Sequence, residues 1–312
     1  MFALANGLFY IGQSRDAAKR YAQHRKKYDN ITRFAFRHVE RQDLDEIEQT
    51  LIHQAQASGV PLTNKEFVAD VRGVTDFDLL VSPEERAAWL KNPRMFDADQ
   101  VRVNSESQRM RFAREYEQFS AHELAPEAIA LLQTYVWECV PAFRRTEMSF
   151  WSLTCMPSTN RNAWPRLACV NIHLMETFVI GFHKKNPQTM WSFVNVSKSV
   201  LLDRYKTQSA FETKYPNVIL KDAWYRSAAG DGATLHAESS GMHQLLRDPA
   251  VLNAARHLNL RLMKKGATTL FSRYHCFLLA DQVVESGRPS EKEPTLWSAM
   301  KKRAEGLLGR ES

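Results

Sequence analysis

Short apolar runs broken by polar stretches fill the start of the chain, and long apolar runs dominate beyond Pro141. Phe2-Ala3-Leu4-Ala5 and Leu8 to Gly12 flank Asn6-Gly7, a pair that accepts positive φ, so the pattern predicts a tight hairpin of two strands. Ser14 or Asp16 offers an N-cap for the helix that follows, and on it Arg20 and His24, four positions apart, share one face. In Ile31 to Val39 apolar and polar residues nearly alternate, which predicts a half-buried strand at about 33–39. Asp43 can cap a helix from Leu44 to about Ser58, striped by Leu44, Ile47, Leu51 and Ile52 and closed by Gly59 and Pro61.

Residues 67–82 are mixed and turn-rich and read as a join. Ser82-Pro83-Glu84-Glu85 starts a helix to about Lys91. Two more helices are predicted over Ser105 to Phe119 and Pro126 to Cys139. Strands are expected in Met148 to Met156, Leu167 to Phe182 (two strands or one long bent one), Trp191 to Leu202, Val218 to Tyr225 and Thr268 to Val284, with a helix from Gly241 to about Lys264 before the last of these. Ser286 to Pro294 reads as a polar loop and Pro294 to Leu308 as a final helix. The fold class is therefore α+β: a small N-terminal module in residues 1–66, and in 83–312 a helical segment followed by a larger α+β domain.

At 312 residues and 44% apolar content, the chain can bury its own cores. A net charge of +7 and a pI near 9.2 favour encounter with polyanions such as nucleic acid. Cys139, Cys155, Cys169 and Cys276 lack metal-site or disulfide-framework spacing and read as buried thiols. No apolar run reaches the roughly 18 residues needed to cross a membrane, and no signal-peptide pattern follows Met1. A soluble, cytoplasmic protein without a membrane partner is expected.

Candidate chemistry concentrates in the first module. Tyr10 ends a strand, and Arg20 and His24 lie on the next helix, so a hydroxyl, a guanidinium and an imidazole can converge on an anionic substrate. Tyr10-Ile11-Gly12, Arg20 ten residues after Tyr10, His24 four further on, Glu48 with Ile52 four beyond it, and Asn64 after Pro61-Leu62-Thr63 together resemble the GIY-YIG nuclease domain, over roughly residues 1–66. The resemblance implies a three-stranded antiparallel sheet with helices and a metal-dependent endonuclease acting on nucleic acid, DNA in preference to RNA. It implies that Glu48 holds one Mg²⁺ or Mn²⁺, that Tyr10 orients or deprotonates water, that Arg20 and His24 engage the phosphate, and that Asn64 steadies the geometry. Phe2 departs from the family pattern, which has a tyrosine there. Either the natural start lies upstream, or the site works without that hydroxyl, or the protein is a decayed, non-catalytic binder of nucleic acid or protein.

The larger domain matches no family pattern, and the resemblance assigns it the choice of target, as in restriction, phage defence or mobile-element cleavage. Trp151, Trp164, Trp191 and Trp224 sit near basic residues or asparagines, but tryptophans in strands are mainly core. Arg109, Arg111 and Arg114 interleave with glutamates and read as a solvated face. His236, His243, His257 and His275 have no zinc-site spacing, and Ser239-Ser240-Gly241 reads as a helix cap. Only a pocket gathering His236, His275 and Asp281 would point to a second catalytic centre.

Overall fold

Gly7, at φ +77°, reverses the chain between β1 (Phe2–Leu4) and β2 (Phe9–Tyr10), which pair antiparallel with Phe2 opposite Tyr10. β3 (Ile31–Phe34) pairs with the other edge of β1, giving a three-stranded antiparallel sheet in the order β2-β1-β3. This strand is shorter and earlier than the expected 33–39, because β1 offers only three residues to pair with. The computed structural model describes residues 1–26, 28, 30–64, 75–93, 106–158 and 164–285. Half of the join at 67–82 (residues 67–74), the expected helix start at Ser105, the loop from Ser286 and the helix from Pro294 to Leu308 lie outside them.

Helix α1 (Ala17–Arg25) starts at Asp16, whose carboxylate accepts the Lys19 N–H at 2.9 Å. Helix α2 (Leu44–Ala57) follows a 3₁₀ turn over Arg41–Asp43. Asp43 occupies the N-cap position of α2, but contrary to expectation its side chain makes no capping bond. Ile11, Ile52 and Leu62 form a small core between α2 and the sheet. The chain leaving α2 runs alongside β2: the Phe9 N–H donates to Pro61 O at 2.9 Å and the Thr63 N–H to Phe9 O at 2.7 Å.

The larger sheet contains β4 (Trp151–Cys155), β5 (Arg166–Ile172), β6 (Met175–His183), β7 (Asn186–Ser197), β8 (Ile219–Asp222) and β9 (Gly232–Glu238). All neighbours are antiparallel, in the order β4-β5-β6-β7-β9-β8. Leu153, Val170, Phe178, Val194 and Leu235 are successive cross-strand partners and so share a face. The helices Ala125–Cys139 and Pro249–Lys265 cover that face, with Tyr135 stacked on Phe178 at 4.8 Å. Asn259 ties the two helices together, donating to the Tyr135 hydroxyl at 2.9 Å and to Cys139 O at 2.7 Å in a fully buried setting.

Several predicted elements change type or break. The strand expected over Trp191 to Leu202 ends at Ser197, whose hydroxyl accepts the Val200 N–H and starts the helix Lys198–Tyr205. Instead of strands, Thr268 to Val284 holds the helices Thr269–Ser272 and Phe277–Glu285. The helix expected over Gly241 to Lys264 is two, Ser239–Leu245 and Pro249–Lys265, because Asp248 caps the second by accepting the Ala250 N–H at 2.8 Å. A 3₁₀ turn at Met110–Phe112 divides Glu106–Arg109 from Ala113–Ser120. The run Leu167 to Phe182 takes the first of its two expected forms, two strands, joined at His173 with φ +52°. All four cysteines are free and buried, and among the described residues no helix is long and apolar enough to cross a membrane.

Candidate functional site

The first module aims its side chains through a few backbone constraints. Asn64, 5% exposed, binds both main-chain groups of Ile11: its Oδ1 accepts the Ile11 N–H at 3.0 Å, and its Nδ2 donates to the Ile11 carbonyl at 2.6 Å. A buried side chain thus serves as a strand neighbour where β2 runs out. The Tyr10 ring folds back over Gly12, where an added Cβ would lie 2.7 Å from Tyr10 Cε1 and 2.8 Å from its hydroxyl. Only a residue without a side chain leaves the ring in place.

Helix α1 presents Arg20 and His24 to that ring. Arg20 Nη2 donates to the Tyr10 hydroxyl at 3.0 Å, so the guanidinium lies where negative charge on this oxygen would be stabilised. His24 is buried, with its ring centroid 4.5 Å from Tyr10 and 5.8 Å from the nearly parallel Tyr28. Phe2, stacked on Tyr10 at 5.8 Å and 5.0 Å from His24, contributes an apolar wall. From α2, Glu48 is half-buried and accepts from Gln13 Nε2 at 3.0 Å, and the same amide donates to Asp45. Glu46, by contrast, is exposed.

These groups open onto a cavity of about 620 Å³ that brings together all five residues singled out in the sequence, Tyr10, Arg20, His24, Glu48 and Asn64. Gln13, Gln23, Tyr28, Thr63 and Arg226 complete its lining and were missed by the sequence reading. Helical spacing could have found two of them: Tyr28 continues the four-residue step from Arg20 through His24, and Gln23 stands three after Arg20. Gln13 and Thr63 adjoin motif residues, whereas Arg226 arrives from the larger domain without any local signal.

Among the described residues no group of three or more His, Cys, Asp and Glu side chains is arranged to hold a metal. The donor set at this cavity is therefore one half-buried carboxylate, Glu48, oriented by Gln13. That suits a Mg²⁺-like ion, which commonly rests on one or two carboxylates and takes its remaining oxygens from water and substrate phosphate.

The other candidates are bound up elsewhere. His275 Nδ1 accepts the Leu153 N–H at 3.0 Å and its Nε2 lies 2.9 Å from the buried Glu147 carboxylate. Asp281 pairs with Arg109 at 2.5 Å and Arg144 at 3.6 Å, while His236 packs on Phe193. His236, His275 and Asp281 thus have separate partners. The Ser239 hydroxyl donates to the Glu127 carboxylate rather than capping a helix. Of the tryptophans, Trp151 is fully buried and Trp191 half-buried, but Trp164 and Trp224 are exposed, so the core expectation holds only in part. No family model, no curated protein and no solved structure matches the chain.

Proposed function

We propose that this chain is a metal-dependent endonuclease of the GIY-YIG type that hydrolyses phosphodiester bonds in DNA, with the larger domain selecting the target. The observation that carries this reading is the convergence of Tyr10, Arg20, His24, Glu48 and Asn64 on one cavity. Phosphodiester hydrolysis needs an oriented water, neutralisation of the phosphate and help for the leaving oxygen. Arg20 meets the phosphate with a planar fork of donors and donates to the Tyr10 oxygen, which orients the attacking water as the hydroxyl or accepts its proton as the phenolate that a neighbouring cation favours. His24, on the same helical face, donates to the phosphate or relays the proton, and Asn64 holds Ile11 so that Tyr10 stays aimed. Mg²⁺ or Mn²⁺ bound at Glu48 would polarise the phosphate and stabilise charge on the leaving 3′ oxygen. A cytoplasmic role in restriction, phage defence or cleavage by a mobile element suits this architecture.

A second reading, a catalytically decayed nucleic-acid-binding protein, is favoured by one observation: the ring stacked on Tyr10 is Phe2, which has no hydroxyl. A cleavage assay on single-stranded, duplex, branched and modified DNA, and on RNA, separates the two. The expected result is metal-dependent cutting of DNA that falls at least about 100-fold in Glu48→Gln, with Arg20→Lys also severely impaired. Cutting that persists unchanged in Glu48→Gln would overturn the assignment of the metal site. Salt-sensitive binding without any cutting would establish the binding protein instead.

A further inference from the structure

Among the described residues lining the cavity, Arg226 is the one supplied by the larger domain. It stands on a 3₁₀ turn, Arg226–Ala228, between β8 and β9. That turn is fixed from several sides. Ala229 and Gly230 take positive φ, +55° and +75°, and the Ala229 N–H donates to Arg226 O at 3.1 Å. The Ser227 carbonyl accepts from Lys265, an ammonium side chain buried to 1% exposure. The Tyr225 hydroxyl donates at 2.9 Å to the Glu176 carboxylate, which Arg166 also holds. A Cβ on Gly232 would come within 2.7 Å of the Ala228 Cβ, so the backbone packs closely here.

Helix α2 meets this turn along one stripe. Asp45 accepts from Arg226 Nη2 at 2.7 Å, and a Cβ built on Gly230 would lie 3.4 Å from His53 Cε1 and 3.7 Å from Gln49 Nε2. Asp45, Gln49 and His53 recur every four residues and so share a helical face. Asp45 also shares the Gln13 amide with Glu48, which places Arg226 on the Glu48 side of the cavity and leaves Arg20 on the Tyr10 side.

We propose that Arg226 is a second phosphate-binding cation of this site, supplied by the larger domain, so that the site is complete only when α2 rests on the 226–230 turn. The proposal rests on the nuclease reading. Its pair with Asp45 is exposed, at 55% and 60%, and such pairs contribute little. A phosphate, which offers a guanidinium bidentate geometry and more charge, readily replaces that partner.

The test measures cleavage, and separately the salt dependence of duplex binding in a Glu48→Gln background. Arg226→Ala is expected to lower kcat/KM roughly 10-fold to 100-fold and to reduce the slope of log affinity against log salt by about one. Arg226→Lys should restore the slope and only part of the rate. Asp45→Asn should retain cleavage, since its remaining side-chain oxygen still accepts from the Gln13 amide and only the oxygen that Arg226 holds is lost. Unchanged rate and slope in Arg226→Ala would overturn the proposal, as would a loss in Asp45→Asn equal to that in Arg226→Ala, which would make the pair structural. If the wild type cuts nothing, the nuclease reading falls and the slope alone decides: a slope reduced by Arg226→Ala still supports a phosphate contact, while an unchanged slope or an absence of binding overturns it.

Discussion

The two parts of the molecule use the same kinds of side chain to opposite ends. Among the described residues the small module has a buried cluster of Ile11, Ile52 and Leu62, with Phe2 and Leu4 also buried, and its tyrosine, arginine, histidine and glutamate face a cavity. The larger domain has an extensive core, and several of its buried ionisable groups pair with one another. Asp248 is the clearest case. Burial alone would push its carboxyl up, but hydrogen bonds from Lys214 at 2.8 Å, from Tyr205 and from Tyr215 at 2.6 Å outweigh it and hold the group well below the usual carboxylate range. Burial likewise raises the Cys139 thiol to about 12, which leaves it inert at neutral pH. A perturbed group whose partners all come from its own fold serves stability. Groups that meet across open space are available to a ligand.

If that contrast is correct, substitutions in the two regions should separate activity from stability. Of the substitutions outside the proposed ligands, the largest effect is expected at Gly12. In Gly12→Ala the new methyl would collide with the Tyr10 ring at 2.7 Å and move its hydroxyl away from Arg20. Cleavage should fall about 100-fold, equivalent to about 2.7 kcal/mol of barrier. The thermal midpoint should stay within about 2 °C of wild type, because the larger core is untouched. A large drop in the midpoint with the rate per folded molecule unchanged would show that Gly12 serves folding rather than aim.

Asp248→Asn should do the converse. It keeps a cap acceptor for the Ala250 N–H but removes the charge that Lys214 and the two tyrosines bind. A loss of about 2 kcal/mol is expected, or about 4–8 °C in the thermal midpoint of a unit this size, without a change in cleavage per folded molecule. The pH dependence has a definite sign. A carboxyl depressed in the folded state stabilises it fully above the ordinary carboxylate range, and that contribution is lost as the pH falls below about 4 toward the folded value. Wild type should therefore lose more stability than Asp248→Asn over this acid window, as chemical denaturation at a series of pH values would show. Parallel pH profiles would mean that Asp248 is not the acid-sensitive lock.

The gathering of the module's candidate side chains could be read from the sequence because it follows from order and spacing over a short span. Tyr10, Arg20, His24, Glu48 and Asn64 come together through one hairpin and two helices. The larger domain was harder for a physical reason. Phe277 to Val284 is too short and too apolar for periodicity to distinguish a buried helix from a buried strand, and as a helix it buries Phe277, Leu279, Ala280, Val283 and Val284. At Ser197 the turn from strand to helix depends on one hydroxyl and on Asp231, far along the chain. Arg226 illustrates the limit. Its neighbours Ala229-Gly230-Asp231-Gly232 announce a turn, but its place at the cavity exists only through the approach of α2.

The smallest effect is expected at the position where the chain departs from the motif. Phe2 is 3% exposed, lies opposite Tyr10 in the sheet and packs on Tyr10, Tyr21, His24 and Phe34. In Phe2→Tyr the ring keeps its stacking, and the added hydroxyl must find a partner among these neighbours or incur a desolvation penalty of about 1–3 kcal/mol. If Tyr10, held by Arg20, already supplies the hydroxyl the reaction uses, Phe2→Tyr should change the cleavage rate by less than about threefold, or about 0.7 kcal/mol. A gain of tenfold or more would mean that the wild-type site lacks a working group and is attenuated by Phe2. Activity appearing only in the variant would place the chain with the decayed binders, its remaining residues still arranged for a reaction that one missing oxygen prevents.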